Sequence, residues 1–307
     1  DLASRLPLPG LRVFGQGADP ELMADLVIGI FRDLFASSWG VRSDKWLRAG
    51  LVTLAYDEKP TLASLPFLFS DPHYRRRLVG RLHDPLLLDT WAAFEAMSAP
   101  DRAQQLSSPM NKVIEVIGRR RMRAVLAQPD PSLDLSDALR AGKIVIVALA
   151  PGSVGAPAAR LLGALVVHSL FQAVQARAGV NPRDRHPFFA YVDEPKVLGD
   201  LAVPLDSLFE LARGLGVGLT LGTQSLAQLP RSVAQAALTN AATIVAFKQS
   251  ADDAALLGRE LVGLTPEELQ GLGRFEVAVR LGLGPGDVAP LATGVTLPLP
   301  RAISDPW

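Results

Sequence analysis

After residue 129 the sequence switches repeatedly between two hydrophobic periods, and that alternation restricts the fold more than any other feature. "KIVIVALA" (143–150) is a continuous β-branched run of the kind that is buried on both faces of a sheet. A long helical pattern follows over 156–177. "PFFAYVDE" (187–194) reads as the next strand and "LDSLFELARGLG" (205–216) as the next helix. "VGLTLGTQ" (217–224) is a third strand, with a helix over about 232–241. "TIVAFKQ" (243–249) is a fourth, followed by the helix "SADDAALLGRELV" (250–262). Strands alternating with helices require crossover connections, which predicts an α/β core with a parallel sheet flanked by helices. The runs "RFEVAVRLGL" and "VAPLATGVTLPLP" near the end read as a closing hairpin or edge strands.

The first part of the chain has the other period. "DPELMADLVIGIFRDLF" opens with Asp19 as N-cap and Pro20 at the first helical position, and Leu22, Leu26, Ile30 and Leu34 fall on one face. "SDKWLRAGLVTLAY" (43–56) carries a Ser43 cap and a similar stripe. "DPHYRRRLVGRL" (71–82) and a run from 86 to 125 follow, for four or five helices in all. The predicted division is an entry segment of the core at 1–19, a helical subdomain at 20–128, the core at 129–300 and a tail at 301–307.

Composition excludes several classes. Lys+Arg and Asp+Glu both number 31, so no chain-wide basic surface exists, although a local basic patch is compatible with this balance. There is no cysteine, hence no disulfide and no thiolate metal site. His73, His83, His168 and His186 are scattered without metal-ligand spacing. The longest apolar stretch, "LLGALVVHSLFQAV" (161–174), is broken by His168 and Gln172 and is shorter than the ~20 residues a membrane span needs. No basic segment leads into an apolar one at the start, so no signal peptide is read there. The opening "DLASRLPLPG" reads as the middle of a longer chain.

In open parallel sheets ligands collect at the carboxyl ends of the strands. One of these ends carries Asp193-Glu194. An apolar strand that runs into two adjacent carboxylates can hold a Mg²⁺ ion through one and polarise a water through the other, from one rigid support. The same pair could equally be a plain acidic strand end, or the metal site of an unrelated α/β enzyme. The following strand ends in Gly222-Thr223-Gln224-Ser225. Gln224 there can reach a γ-phosphate or order a water, whereas Thr223 and Ser225 also suit an N-cap. "APGSVGAP" after the first strand is not a nucleophile elbow, because Pro151 stands where G-x-S-x-G needs its first glycine. No histidine follows His186 to complete a triad.

A phosphate loop is missing from these residues. G-x-x-x-x-G-K-[ST] does not occur, and Gly-Lys appears once, at Gly142-Lys143, followed by Ile144. "GLGVGLTLG" (214–222) runs into a strand rather than out of one.

Five segments, in order, resemble the C-terminal two-thirds of a HerA/FtsK-type ATPase, in the branch of conjugative-transfer coupling proteins and type IV secretion ATPases. They are "WGVRSDKWLRAGLVTLA" (39–55), "LDLSDALRAGKIVIVALAPGSVGAPAARLLGALV" (133–166), "FFAYVDEPKVL" (188–198), "LARGLGVGLTLGTQSLAQLP" (211–230) and "NAATIVAFKQSADDAALLGREL" (240–261). The resemblance implies a RecA-like P-loop NTPase core with an inserted all-helical subdomain. It implies ATP and Mg²⁺ as cofactors, a homo-hexameric ring, and DNA, secretion-system or relaxosome proteins as partners. Asp193 and Glu194 match the family's Walker B pair, with Asp193 as the Mg²⁺ residue, through water, and Gln224 matches the glutamine of the following strand. Arg213 stands where the family often has an arginine, which makes it a candidate trans-acting finger or else a helix C-terminal charge favoured by the dipole. The family pattern after the acidic pair differs from the Pro195-Lys196 found here. A cytoplasmic place, at the inner face of the membrane, is implied for the whole protein, with any membrane anchor outside these residues. A non-catalytic scaffold that kept the fold is the alternative reading.

"YRRR" (74–77) and "GRRRMR" (118–123) are the densest basic runs and are either DNA-phosphate contacts or solvated helix faces. Trp39, Trp46 and Trp91 in the same region read as core rather than as base-stacking platforms.

Overall fold

A computed structural model describes residues 8–11, 19–130, 132–149, 152, 155–195, 205–284 and 287–298 of the 307. The chain divides into two compact units. The first comprises Asp1–Ala190, Val197–Pro204 and Leu211–Gly218, and the second Tyr191–Lys196, Leu205–Glu210 and Leu219–Trp307.

The first unit is built on helices. They are α1 (Pro20–Leu34), α2 (Val41–Leu54), α3 (Leu65–Ser70), α4 (Pro72–Val79), α5 (Pro85–Ala96), α6 (Ala99–Ile117), α7 (Arg120–Leu126), α8 (Leu135–Ala141) and α9 (Ala156–Ala176). The stretch 20–126 therefore holds seven helices, where hydrophobic period predicts four or five, because α3 precedes the helix read at 71–82 and the run from 86 to 125 divides into α5, α6 and α7, with Ser98 capping α6. Asp71-Pro72 and Asp84-Pro85 start α4 and α5. In both, the aspartate side chain accepts a backbone N–H and the proline takes the first helical position.

Two expectations for the first helices change. Asp19 caps α1 as predicted, accepting the Glu21 N–H at 2.8 Å. The buried face, however, runs through Met23, Val27, Ile30 and Phe31, and Leu22 is exposed. Ser43 is not a cap: α2 begins after Gly40, and Ser43 is buried within the helix, its hydroxyl 3.2 Å from that of Ser108.

The core of this unit is aromatic. Trp46, Phe69, Trp91 and Phe94 stack mostly edge to face, with ring centroids 5.2–6.3 Å apart. Both buried indoles find acceptors, Trp91 Nε1 on Thr53 Oγ1 at 2.9 Å and Trp46 Nε1 on Gln105 Oε1 at 3.3 Å. The tryptophans are thus core residues, with Trp39 partly buried beside them.

α9 is longer than the apolar stretch read from sequence. Together with the turn behind it, Ala156–Gly179 is long and apolar enough to cross a membrane by length and composition, a test that a core helix also passes. Leu161, Leu162, Leu165 and Val174 are buried within the fold.

The run "KIVIVALA" forms no strand over its described residues 143–149. Ile144 is 91% exposed and Ile146 83%. A β-branched sequence becomes a strand only where a neighbour completes its hydrogen-bond ladder, and none does so among the described residues.

Strands β1 (Phe188–Asp193) and β2 (Val217–Gly222) form a two-stranded sheet. The Phe188 N–H donates to Gly216 O at 3.2 Å and the Glu194 N–H to Gly222 O at 2.9 Å, so partner numbers rise together and the strands are parallel. Helix α10 (Leu205–Ala212) is their crossover.

The second unit continues with α11 (Arg231–Asn240), β3 (Ile244–Ala246), α12 (Ala251–Glu260), α13 (Pro266–Gly271), β4 (Glu276–Arg280) and β5 (Ala292–Val295). The expected parallel fourth strand is corrected: β3 pairs antiparallel with β4, in register Val245 opposite Val279, and β4 pairs antiparallel with β5. The predicted closing hairpin is therefore present and has captured β3. Apolar packing explains the capture, since Ala246 and Ala278 seal onto Leu257, Leu261 and Leu269. α13 starts with a reciprocal capping box between Thr265 and Glu268.

Candidate functional site

β1 alternates as a half-covered strand does. Ala190 is buried, Phe189 and Tyr191 are exposed, and the strand ends in the exposed Asp193. Glu194 then leaves the strand with φ of 50°, the left-handed region that a non-glycine residue rarely occupies. Its backbone N–H is tied to Gly222 O, which holds the turn in place. Its Oε1 is buried and has no hydrogen-bond partner. A buried carboxylate oxygen without a partner is costly and is a mark of sites that complete themselves with a ligand or water.

Gly222 ends β2 beside this pair. A Cβ at Gly222 would stand 3.2 Å from Asp193 Oδ1, so the glycine makes room for the carboxylate. The chain then turns sharply. Thr223 Oγ1 donates to Ser225 O at 3.0 Å, and Ser225 Oγ accepts from the Ala227 N–H at 3.2 Å. Thr223 and Ser225 thus build the turn, and Gln224, between them, is left exposed. Of the expectations for these residues, the capping role is seen on Ser225, which is the N-cap of the 3-10 turn Leu226–Gln228.

Asp253, at the start of α12, was not among the candidates from sequence. It is 1% exposed, and its Oδ1 accepts the Ala227 N–H at 3.3 Å, which braces the turn behind Gln224. The only signal for it was its place three residues after the N-cap Ser250.

Asp193, Glu194 and Gln224 all belong to the second unit, at the neighbouring ends of β1 and β2. Arg213 belongs to the first unit and is exposed on the 3-10 turn Arg213–Leu215. Lys196 and most of the turn "PGSVG" lie outside the described residues.

No cluster of three or more metal-binding side chains occurs among the described residues. One exposed carboxylate with room beside it suits Mg²⁺, which keeps most of its waters and takes one or two carboxylates plus substrate phosphates.

Gly142-Lys143 has a different job from a phosphate loop. Gly142 (φ 63°) closes α8 in the left-handed conformation, and Lys143 Nζ pairs with Asp137. That hydrogen bond, and a second from Arg140, hold the Asp137 carboxyl below its ordinary value.

The basic run at 74–77 is largely structural. Arg75 is 2% exposed; its Nε meets Glu95 at 2.6 Å and its Nη1 donates to the carbonyls of Leu68 and Phe69. Tyr74 donates to Asp57 at 2.6 Å, and burial followed by that bond pushes its phenol up to about 12. Arg77 reaches the same Asp57.

No protein-family description matches the sequence, and no curated protein matches it. Solved structures do. The plasmid coupling protein TrwB with the GTP analogue GDPNP aligns with a TM-score of 0.61 at 16% identity, covering 96% of this chain and 72% of that one. TrwB with ADP and Mg²⁺ aligns with a TM-score of 0.58 at 16% identity, over 94% of this chain and 72% of that one. An unbound form of the same bacterial conjugative coupling protein aligns at 0.55 and 16% identity, over 88% and 67%. The chain has the RecA-like α/β fold of these coupling proteins, with its helical part.

Proposed function

We propose that this chain is part of a ring-forming ATPase motor that couples ATP hydrolysis to DNA translocation, or to substrate delivery, in conjugation or type IV secretion. The observation that carries the proposal is the acidic pair at the end of β1 beside the Gln224 turn, on a fold shared with a coupling protein solved with ADP and Mg²⁺. Asp193 would hold Mg²⁺, through a water, where Gly222 leaves room for its carboxylate. The ion, when bound, neutralises charge on the phosphates. Glu194, its Oε1 without a partner in the fold, polarises the attacking water. Gln224 contacts the γ-phosphate or orders that water. Arg213 acts on the nucleotide of a neighbouring subunit in a homo-hexamer. The working place is the cytoplasm, at the inner face of the membrane, with DNA and secretion or relaxosome proteins as partners.

The proposal needs a phosphate-gripping loop from outside these 307 residues, since Gly142-Lys143 is a helix cap. That same observation favours a second reading, a non-catalytic subunit that uses the fold as a partner-binding scaffold.

The test is ATP hydrolysis by the protein extended with its native upstream sequence, with and without DNA, beside Glu194→Gln. DNA-stimulated turnover that Glu194→Gln reduces by about 10²-fold or more supports the motor. Absence of both turnover and nucleotide binding leaves the scaffold.

A further inference from the structure

The first unit contains a cavity of about 340 Å³ between α8, the end of α9 and the turn that leads to His186. Its apolar wall is Leu139, Ala173 and Val180, and Arg177 contributes to the lining. Arg177 is only 8% exposed. One of its nitrogens donates to the His186 carbonyl, and Nη1 has no hydrogen-bond partner. Burial, and then the neighbouring Arg185 charge, hold this guanidinium below the ordinary arginine value.

No acid of the lining forms an ion pair with Arg177 among the described residues. Each of the three side-chain nitrogens of Arg185 donates to a carbonyl, those of Val180, Gly214 and Ala178, at 2.9, 3.0 and 3.4 Å. Asp137 is taken by Arg140 and Lys143. Asp134 caps α8, accepting the backbone N–H groups of Ser136 and Asp137. Asp184, the remaining acid of the lining, makes no ion pair among those found in the described residues. A buried guanidinium donor without an acceptor is expensive, and an anion removes that cost.

We propose that this cavity binds a small monocarboxylate, its carboxylate received by Arg177 and its apolar part laid on Leu139, Ala173 and Val180. The charge balance favours one negative charge over several: Asp134, Asp137 and Asp184 line the cavity together with Arg140, Arg177 and Arg185, so the lining has no excess of positive charge to hold a polyanion. The volume admits an aromatic acid of the size of benzoate. Nη1 is covered, so the guanidinium turns toward the cavity when the ligand enters. The inference does not depend on the motor reading, since every lining residue belongs to the first unit and Asp193, Glu194 and Gln224 to the second.

The experiment is calorimetric titration of the full chain with sodium benzoate, with benzamide as the neutral shape control and inorganic phosphate as the more highly charged one. Saturable benzoate binding at least about tenfold tighter than both controls is expected, and Arg177→Gln should weaken it by about tenfold or more. Ala176→Glu places a carboxylate on the exposed last residue of α9 that lines the cavity; it should raise Tm and abolish benzoate binding. This variant decides the matter if Arg177→Gln does not fold. Equal affinity for benzoate and benzamide, tighter binding of phosphate, or binding that survives Ala176→Glu overturns the proposal.

Discussion

The backbone N–H of Glu194 donates to the carbonyl of Gly222 at 2.9 Å, and this bond fixes the ends of β1 and β2 side by side. It also holds Glu194 at φ 50°, a conformation the fold imposes against the preference of the residue. Glu194→Gly should relieve both the left-handed backbone and the orphaned Oε1, stabilising the chain by about 1 kcal/mol. Glu194→Ala removes the carboxylate but keeps the strain, so its Tm should rise less. Thermal melts of the two variants against the parent check the order. In the extended protein both should be inactive, a gain in stability at the expense of activity.

Gly222→Ala tests the space beside Asp193. The new methyl would stand 3.2 Å from the carboxylate oxygen, so the carboxylate must yield by a few tenths of an ångström. Stability should change little, because alanine in a strand is about 0.5–1 kcal/mol better than glycine and offsets the crowding. The Mg²⁺ dependence of nucleotide binding in the extended protein should shift to higher metal concentration. An unchanged Mg²⁺ midpoint would remove Asp193 from the metal site.

Arg75→Met should cost about 2–4 kcal/mol, because it leaves two α3 carbonyls and Glu95 without their donor. Arg75→Lys should recover only part of this, since an ammonium cannot span the three acceptors from one fork. Chemical denaturation measures both. Salt-dependent DNA binding, if the chain binds DNA, should be unaffected by Arg75→Lys, while charge removal at the exposed Arg76 lowers the salt slope by about 1.

Stability should fall on acidification partly through His168. Burial holds its pKa below the ordinary 6.5, so the unfolded chain takes up the proton first. The contribution is therefore full above the unfolded value and is lost as pH falls from there through the folded value. Between pH 7.5 and 5 the parent should lose more Tm than His168→Gln; parallel losses would show that His168 is not the group responsible.

Local chemistry made much of this protein legible. Asp19-Pro20 starts α1, the apolar runs at 188–193 and 217–222 are strands, and Asp193-Glu194 and Gln224 come at the ends of those strands. These features rest on contacts between near neighbours: a cap, a two-residue alternation, the end of an apolar run. What tertiary structure decided depends on partners distant in sequence. "KIVIVALA" has as strong a strand pattern as any, yet over its described residues it has no ladder and no strand. Alternation with helices predicts a parallel β3, yet the strand is antiparallel, because β4 supplies its ladder and α12 and α13 its cover. Arg75 looked like one cation in a basic run and is the buried clasp between α4 and α5. Asp253 and Arg177 carried no motif; only the fold brings one against the Ala227 N–H and leaves the other buried without an anion. A residue's period and cap belong to its own segment, whereas its hydrogen-bond partner and its burial belong to whichever segment the whole chain packs against it.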